Sequence, residues 1–420
     1  MRLRHSVAGG TPPSPYRHHA FVMLCASAAT AAAQPRVGYR VFYPQPPATQ
    51  TAAACISGDG RVVGGNSIAT RQVASVFEVP FYLASPLHLP PGELDSIPLA
   101  ANNDGSVLVG YWQFATGGGQ WGWVSRGGRA EEVGRTSDAS SSIATDTSDD
   151  GSIVIGASFH LDRGPTGWMW TPDDGLILLP DRADTSEVLP HAVSGDGRVI
   201  IGMVLLRAGG MRPFRWTRED GLTLINPGAG PQQMILTDVS RDGSIACGYR
   251  YDPETQRASG FRLTFDGPEI SLGRIANRPP DLVPNAISAD GSRIVGDNQG
   301  RAFVWDIARG PRLLDEALHA AGVDLNNWNF ASGTGISDDG TAISVQTIYP
   351  QPPHVSYGGV VFLDEGCLGD FNRDGGTDGS DVETFFRAWE AADESADVNL
   401  DGGVDGRDTE AFFLAWEAGC

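Results

Sequence analysis

Residues 56–65 read ISGDGRVVGG, and variants of that phrase return six more times along the chain. They are ANNDGSVLVG (101–110), TSDDGSIVIG (147–156), VSGDGRVIIG (193–202), VSRDGSIACG (239–248), ISADGSRIVG (287–296) and ISDDGTAISV (336–345). Their aspartates, Asp59, Asp104, Asp150, Asp196, Asp242, Asp290 and Asp339, stand 45, 46, 46, 46, 48 and 49 residues apart. Such a period marks a repeat architecture in which each unit is one supersecondary element.

Asp-Gly between two strand-like runs is a hairpin signal, because glycine enters positive φ without a steric penalty. The serine two places before each aspartate, replaced by Asn102 in the second unit, can bond loop amides through its side chain. These seven aspartates therefore read as turn formers rather than as acids. Four places after each comes Val63, Leu108, Val154, Ile200, Ala246, Ile294 or Ile343, among mostly apolar neighbours. That pattern describes a strand buried on both faces. Six places after the aspartate, six of the seven units have glycine, where backbones are expected to crowd; the seventh has Val345.

The remainder of a unit supplies an aromatic strand, such as GWMW (167–170), FRW (214–216), GFRL (260–263) or AFVW (302–305). A turn such as Asp174-Gly175 or Asp220-Gly221 then leads into a last strand. Four antiparallel strands in about 46 residues is the size of a propeller blade. The expected fold is mainly β, a seven-bladed β-propeller over residues 34–365, with a sandwich or solenoid as the alternatives that would also accept repeats. The seventh unit lacks one strand before the chain leaves, and RVGYRVFY (36–43) is free to complete it and close the ring. RLLDEALHAAGVDL (312–325) reads as a short helix inserted between units six and seven.

The 420 residues carry a net charge of −21, and all thirty basic residues are arginine. Lysine chemistry, including Schiff bases and the P-loop lysine, is thereby excluded. The acidic balance argues against nucleic acid and anionic membranes as partners. At the N-terminus, Arg2, Arg4 and Arg17 precede an apolar run, 20–29, and then Ala31-Ala32-Ala33. This reads as an export signal over residues 1–33, too short to span a bilayer. Its long, proline-containing front section is atypical, and Leu24 before Cys25 is not the small residue a lipoprotein site needs. The expectation is a secreted or cell-surface protein without a transmembrane segment.

Between Cys367 and Cys420, fourteen acidic residues face three arginines. DFNRDGGTDGSD (370–381) and DVNLDGGVDGRD (397–408), 27 residues apart, place oxygen side chains at positions 1, 3, 5, 9 and 12 of a loop with glycine at position 6. Calcium takes six to eight oxygens, and such a loop supplies them with a carbonyl at position 7. The first set is Asp370, Asn372, Asp374, the Gly376 carbonyl, Asp378 and Asp381. The second is Asp397, Asn399, Asp401, the Gly403 carbonyl, Asp405 and Asp408. Two calcium ions are expected, one per loop.

Each loop runs into an amphipathic segment, with Val382, Phe385, Phe386 and Trp389 matched by Phe412, Phe413 and Trp416. In an exported protein Cys367 and Cys420 could close the pair with a disulfide; two free thiols are the alternative. Cys55 and Cys247 fall in units one and five and read as small core residues.

Two resemblances follow from these motifs. The I-S-x-D-G-x-x-x-V-G unit, the A-F-x-W strand and the inserted helix with its A-G-V-D-L resemble the extracellular HAF repeat family over about residues 40–365. That family implies a secreted repeat protein without an established activity. The S-x-D-G strand is more distantly similar to periplasmic propellers of transport complexes. The tail, 366–420, resembles a type I dockerin, a small α domain of two F-hand-like loops with Asp at position 12 and one helix after each. This resemblance implies calcium binding and a cohesin-like partner. Positions 10 and 11, which help recognise that partner commonly through Ser or Thr, are here Gly379-Ser380 and Gly406-Arg407.

No catalytic motif stands out: there is no G-x-S-x-G, no H-E-x-x-H and no dinucleotide fingerprint. His88, His160, His191, His319 and His354 fall at unrelated places in their repeats. Trp168, Trp170, Trp216 and Trp305 sit at regular strand positions and read as blade packing. Two functions are therefore expected to compete. One is a secreted, non-catalytic binding or scaffold propeller, with a glycan or protein ligand, displayed through its calcium module. The other is an extracellular polysaccharide-degrading glycoside hydrolase, which dockerin-like tails often accompany. A cluster of non-repeating carboxylates and aromatics at one mouth of the ring would separate them.

Overall fold

The computed structural model describes residues 37–69, 71–79, 84–87, 95–113, 119–180, 182–226, 233–349, 355–363, 369–372, 377–391, 393, 396, 398 and 404–418. The expected signal segment, and both Cys367 and Cys420, lie outside them. Seven four-stranded antiparallel sheets form the blades of a β-propeller, over residues 50–86, 95–132, 141–178, 185–224, 233–271, 283–313 and 329–363. Strand order within blades 1–6 is sequential from the axis outward, and the first strands of neighbouring blades pack against one another all round the ring. In blade 7 the fourth strand is Val37–Val41, paired antiparallel to Val355–Leu363 with Val37 opposite Leu363. The first strand of the domain thus completes the last blade, and the edge it would leave open is paired.

Each Asp-Gly turn joins the innermost strand of a blade to the second. In blade 4, Ser194 Oγ donates to Asp196 Oδ1 at 2.6 Å and accepts the Val199 amide at 3.0 Å. The same aspartate oxygen accepts the Arg198 amide at 3.0 Å. This set recurs in every blade, with Asn102 replacing serine in blade 2. The serines are fully buried and the turn glycines lie at φ near +70°. The turn aspartates are thus structural, as expected.

These turns also join one another. The amides of Asp59, Asn103, Asp149, Asp196, Arg241, Ala289 and Asp338 donate to the carbonyls of Asn103, Asp149, Gly195, Arg241, Ala289, Asp338 and Gly58, at 2.8 to 3.1 Å. The seven bonds form a closed circuit at one mouth of the central channel. Each satisfies a backbone donor that the turn leaves outside its own sheet.

The apolar core divides in step with the blades, into one cluster at each of the seven blade–blade contacts. Trp168 is fully buried between blades 2 and 3, and Trp216 and Trp305 are buried in blades 4 and 6. The glycines six places after each aspartate sit where a Cβ would overlap a carbonyl oxygen of the innermost strand, as at Gly110 against Ile97. In blade 7 Val345 stands at that position, opposite Gly333 of an innermost strand that carries a second bulge between Phe330 and Ser332. A Cβ at Gly333 would meet Val295 of blade 6.

The helix α1 (Leu314–Ala320) lies between blades 6 and 7, with Leu314, Ala317 and Leu318 in the core there. Two further helices, α2 (Gly379–Glu390) and α3 (Gly406–Ala418), make up the described part of the tail. Among the described residues no helix is long and apolar enough to cross a membrane.

Candidate functional site

The central channel holds a polar cavity of about 360 Å3, opening at the Asp-Gly mouth. Its lining comes from a local feature of the innermost strands. Each carries a β-bulge five residues before the repeat aspartate, at Ala54, Leu99, Thr145, His191, Thr237, Asn285 and Thr334. A bulge re-aims side chains, and all of these except Ala54 line the cavity. Several reach toward the next blade: His191 Nδ1 lies 2.7 Å from the Leu236 carbonyl, and Asn285 Nδ2 donates to the Gly333 carbonyl at 2.9 Å. Nδ1 is then the protonated nitrogen, leaving Nε2 as an acceptor. Burial holds the His191 pKa below the ordinary range, so the ring is neutral near pH 7.

The next position is an aspartate in two blades only. Asp146 accepts the Thr147 amide at 2.8 Å and, across the blade boundary, the Val193 amide at 2.8 Å. Asp238 does the same with Val239 at 2.8 Å and Ile287 at 2.9 Å. Burial, followed by the charge on Asp238, pushes the Asp146 pKa up to about 8 against the pull of its two amides. Burial pushes Asp238 up to about 7.

At the mouth, Arg241 of blade 5 reaches Asp149 of blade 3 at 2.7 Å and Asp338 of blade 7 at 3.1 Å. Room for these carboxylates comes from Gly58 and Gly195. A Cβ at Gly58 would lie 2.6 Å from an Asp338 oxygen, and one at Gly195 2.5 Å from an Asp149 oxygen. Non-repeating carboxylates therefore do gather at one mouth, yet no aromatic residue lines the cavity. Nor is either inner aspartate a free acid, since both oxygens of each are committed to amides.

Sequence reading passed over His191, Thr145, Asn285 and the Asp146/Asp238 pair. The signal that finds them is their position: five and four places before the aspartate, where residue type changes from blade to blade. The other described histidines lie elsewhere; His160 stands 3.5 Å from Asp138 outside the channel, and His319 is exposed on α1. Cys55 and Cys247 are free and buried, and burial pushes the Cys55 thiol up to about 12. Both are inert core thiols.

In the tail, Asp370, Asn372, Asp378, Asp381, Asp405 and Asp408 fall within the described residues. Asp374, Gly376, Asp397, Asn399, Asp401 and Gly403 lie outside them. Among the described residues no group of three or more His, Cys, Asp or Glu is placed to hold a metal. In the described half of each loop the last carboxylate is buried and bonded to amides of its own loop. Asp381 is fully buried and accepts the Asn372 amide at 3.0 Å and the Asp378 amide at 2.9 Å. Asp408, fully buried as well, accepts the Asp405 amide at 2.8 Å.

The two halves mirror each other. Phe385 and Phe412 stack with centroids 4.2 Å apart and planes within 5°. Trp389 Nε1 donates to the Asp405 carbonyl at 3.0 Å, and Trp416 Nε1 to the Asp378 carbonyl at 2.9 Å. Each helix thus pins the loop that opens the other. Ala308 of blade 6 packs against this small core.

No protein-family model matches the chain, and no curated protein matches it. Solved structures do. An oligogalacturonate lyase from Vibrio parahaemolyticus is 11% identical, with a TM-score of 0.52 over 79% of this chain and 93% of its own. An oligogalacturonate lyase in complex with manganese is 10% identical, with a TM-score of 0.51 over 78% of this chain and 97% of that one. At such identity the likeness supports the propeller fold and says nothing of chemistry.

Proposed function

We infer that this is a secreted, non-catalytic propeller that binds a ligand and is displayed through a calcium-dependent, dockerin-like tail. One observation carries the binding reading: the polar groups of the channel are tied down by backbone bonds and no aromatic platform accompanies them. A general acid or base needs a proton-accepting atom aimed at a substrate, and Asp146 and Asp238 spend theirs holding blades together. What is left, the remaining lone pairs of Asp146 and Asp238 and the acceptor Nε2 of His191, suits a donor-rich small ligand. For the tail, the support is the buried position-12 carboxylates and the mirrored loop–helix halves, together with the dockerin-like motif. Asp370, Asn372, Asp374, Gly376, Asp378 and Asp381 would hold one calcium. Asp397, Asn399, Asp401, Gly403, Asp405 and Asp408 would hold the other. The metal would cancel the mutual repulsion of four carboxylates per loop.

The test is calcium titration of the full chain by calorimetry. Two equivalents are expected, falling to one in Asp381→Ala. Absence of binding would remove the display module from this reading.

The raised pKa of Asp146 favours the competing reading, a glycoside hydrolase with Asp146 as acid. Hydrolysis of a neutral polysaccharide or of polygalacturonate, lost in Asp146→Ala while the fold persists, would establish it instead.

A further inference from the structure

The sequence YPQPP occurs twice, at 43–47 and 349–353. Its two tyrosines come together at the end of blade 7 opposite the Asp-Gly mouth, because Val355–Leu363 pairs with both Ala342–Tyr349 and Val37–Val41. Trp328, just before the innermost strand, stands between them. Ring centroids run Tyr349 to Trp328 at 5.1 Å, Trp328 to Tyr357 at 5.6 Å and Tyr357 to Tyr43 at 5.6 Å. Trp328 is buried beneath the row, whereas Tyr43 is 60% exposed at its end. An exposed aromatic of that size joined to three others is unlike the scattered apolar residues of an ordinary surface.

A groove of about 730 Å3 runs beside Tyr43 and Trp328, between the strand Val37–Val41, which adds Arg40, and the loop that carries Val323, Asp324 and Asn326. Asp324 and Asn326 line it, both exposed, on a loop where Asn326 and Asn327 take φ of 47° and 65°. Left-handed φ at two successive residues turns the loop sharply there. Asn326 is oriented by its own contacts: its backbone amide donates to Asp324 Oδ1 at 2.9 Å, which leaves Oδ2 of that carboxylate toward the groove, and Nδ2 donates to the Tyr39 hydroxyl at 3.3 Å.

The geometry points to this groove as a binding site for a neutral saccharide chain. A sugar ring has an apolar face that lies on an aromatic ring and a rim of hydroxyls that donate as well as accept. Tyr43, the exposed end of the row, which lines the groove beside buried Trp328, meets the first need. The Asp324 carboxylate, an acceptor only, meets the second, and it has no counterpart in a proline-rich peptide, which offers carbonyls and few donors. Such a peptide is the other chemistry that aromatic grooves take. This inference goes beyond the channel reading above, at a separate site, and is independent of the calcium tail.

The experiment uses the full chain, in saturating calcium and again in chelator, against insoluble cellulose, xylan and a β-1,3-glucan, with a proline-rich peptide in parallel. Retention on at least one polysaccharide is expected, equal with and without calcium. Tyr43→Ala should weaken it about ten-fold, the size of effect a central aromatic contact commonly has. Tyr43→Phe, which keeps the ring, should stay within about two-fold, and Asp324→Ala should weaken it by several-fold, about the effect of one lost hydrogen bond. Because Tyr43 is mostly exposed, its loss leaves the fold intact. No retention on any polysaccharide, retention indifferent to Tyr43→Ala, or capture of the peptide instead would overturn the proposal. Loss of retention on chelation alone would move the binding to the tail and overturn it equally, while leaving the calcium reading standing.

Discussion

The same dipeptide, Asp-Gly, is put to two uses in this chain. In the propeller each turn aspartate is surrounded by its own donors; at Asp150 these come from Ser152, whose amide donates at 2.8 Å, and from the Ser148 hydroxyl at 2.8 Å. Those bonds hold its pKa below the ordinary range. In the tail the aspartates come four to a loop, and the amides within the described residues serve chiefly Asp378, Asp381, Asp405 and Asp408. A carboxylate satisfied by its own donors stabilises its turn unaided. Four in one loop, on the reading proposed above, would be held by a cation. The core differs in the same sense: seven interlocking clusters in the ring, a single cluster around Phe385 and Phe412 in the tail.

The strongest way to break this contrast is to remove the strand Val37–Val41. The propeller should then lose cooperative unfolding or aggregate, since blade 7 keeps an open edge, while the calcium stoichiometry stays at two. Circular dichroism melts and calorimetric titration would report both. Next comes Trp168→Ala, which empties the contact between blades 2 and 3 and should cost about 3–5 kcal/mol, read as a lower denaturant midpoint of the β signal.

Ser194→Ala leaves the Val199 amide and Asp196 without their shared hydroxyl and should cost about 1–2 kcal/mol. Trp416→Phe removes the bond to the Asp378 carbonyl and should cost about 1 kcal/mol, in the helical transition alone. If either change moved both transitions equally, the two regions would be one cooperative unit.

The smallest effect is a pH slope. Asp146 and Asp238 have folded pKa values of about 8 and 7, above the ordinary carboxylate range. A carboxyl raised on folding contributes stability that is complete below its unfolded value and lost as pH rises through the folded one. His191, depressed on folding, acts in the opposite sense only below the ordinary histidine range. Between about pH 6.5 and 8 the melting temperature should therefore fall. In Asp146→Asn/Asp238→Asn it should be flat; a slope unchanged in that variant would refute the assignment.

The ring was legible because its determinants are local and repeated. Ser, Asp and Gly at fixed offsets specify a turn whichever blade they occupy, and RVGYRVFY stood out as a strand without a partner. The channel was not legible for the opposite reason. His191, Asp146 and Asp238 are singular, and they meet only because bulges in strands 45 or more residues apart turn them to one axis. The aromatic row escaped notice likewise, since Tyr43 and Tyr349 are joined by ring closure rather than by sequence.

The most direct test of the central claim is differential scanning calorimetry of the full chain with calcium and with chelator. Two transitions are expected, the larger one fixed and the smaller one shifted down or abolished when calcium is removed. A scan indifferent to calcium, or one in which both transitions move together, would contradict the division into a self-sufficient ring and a metal-held tail.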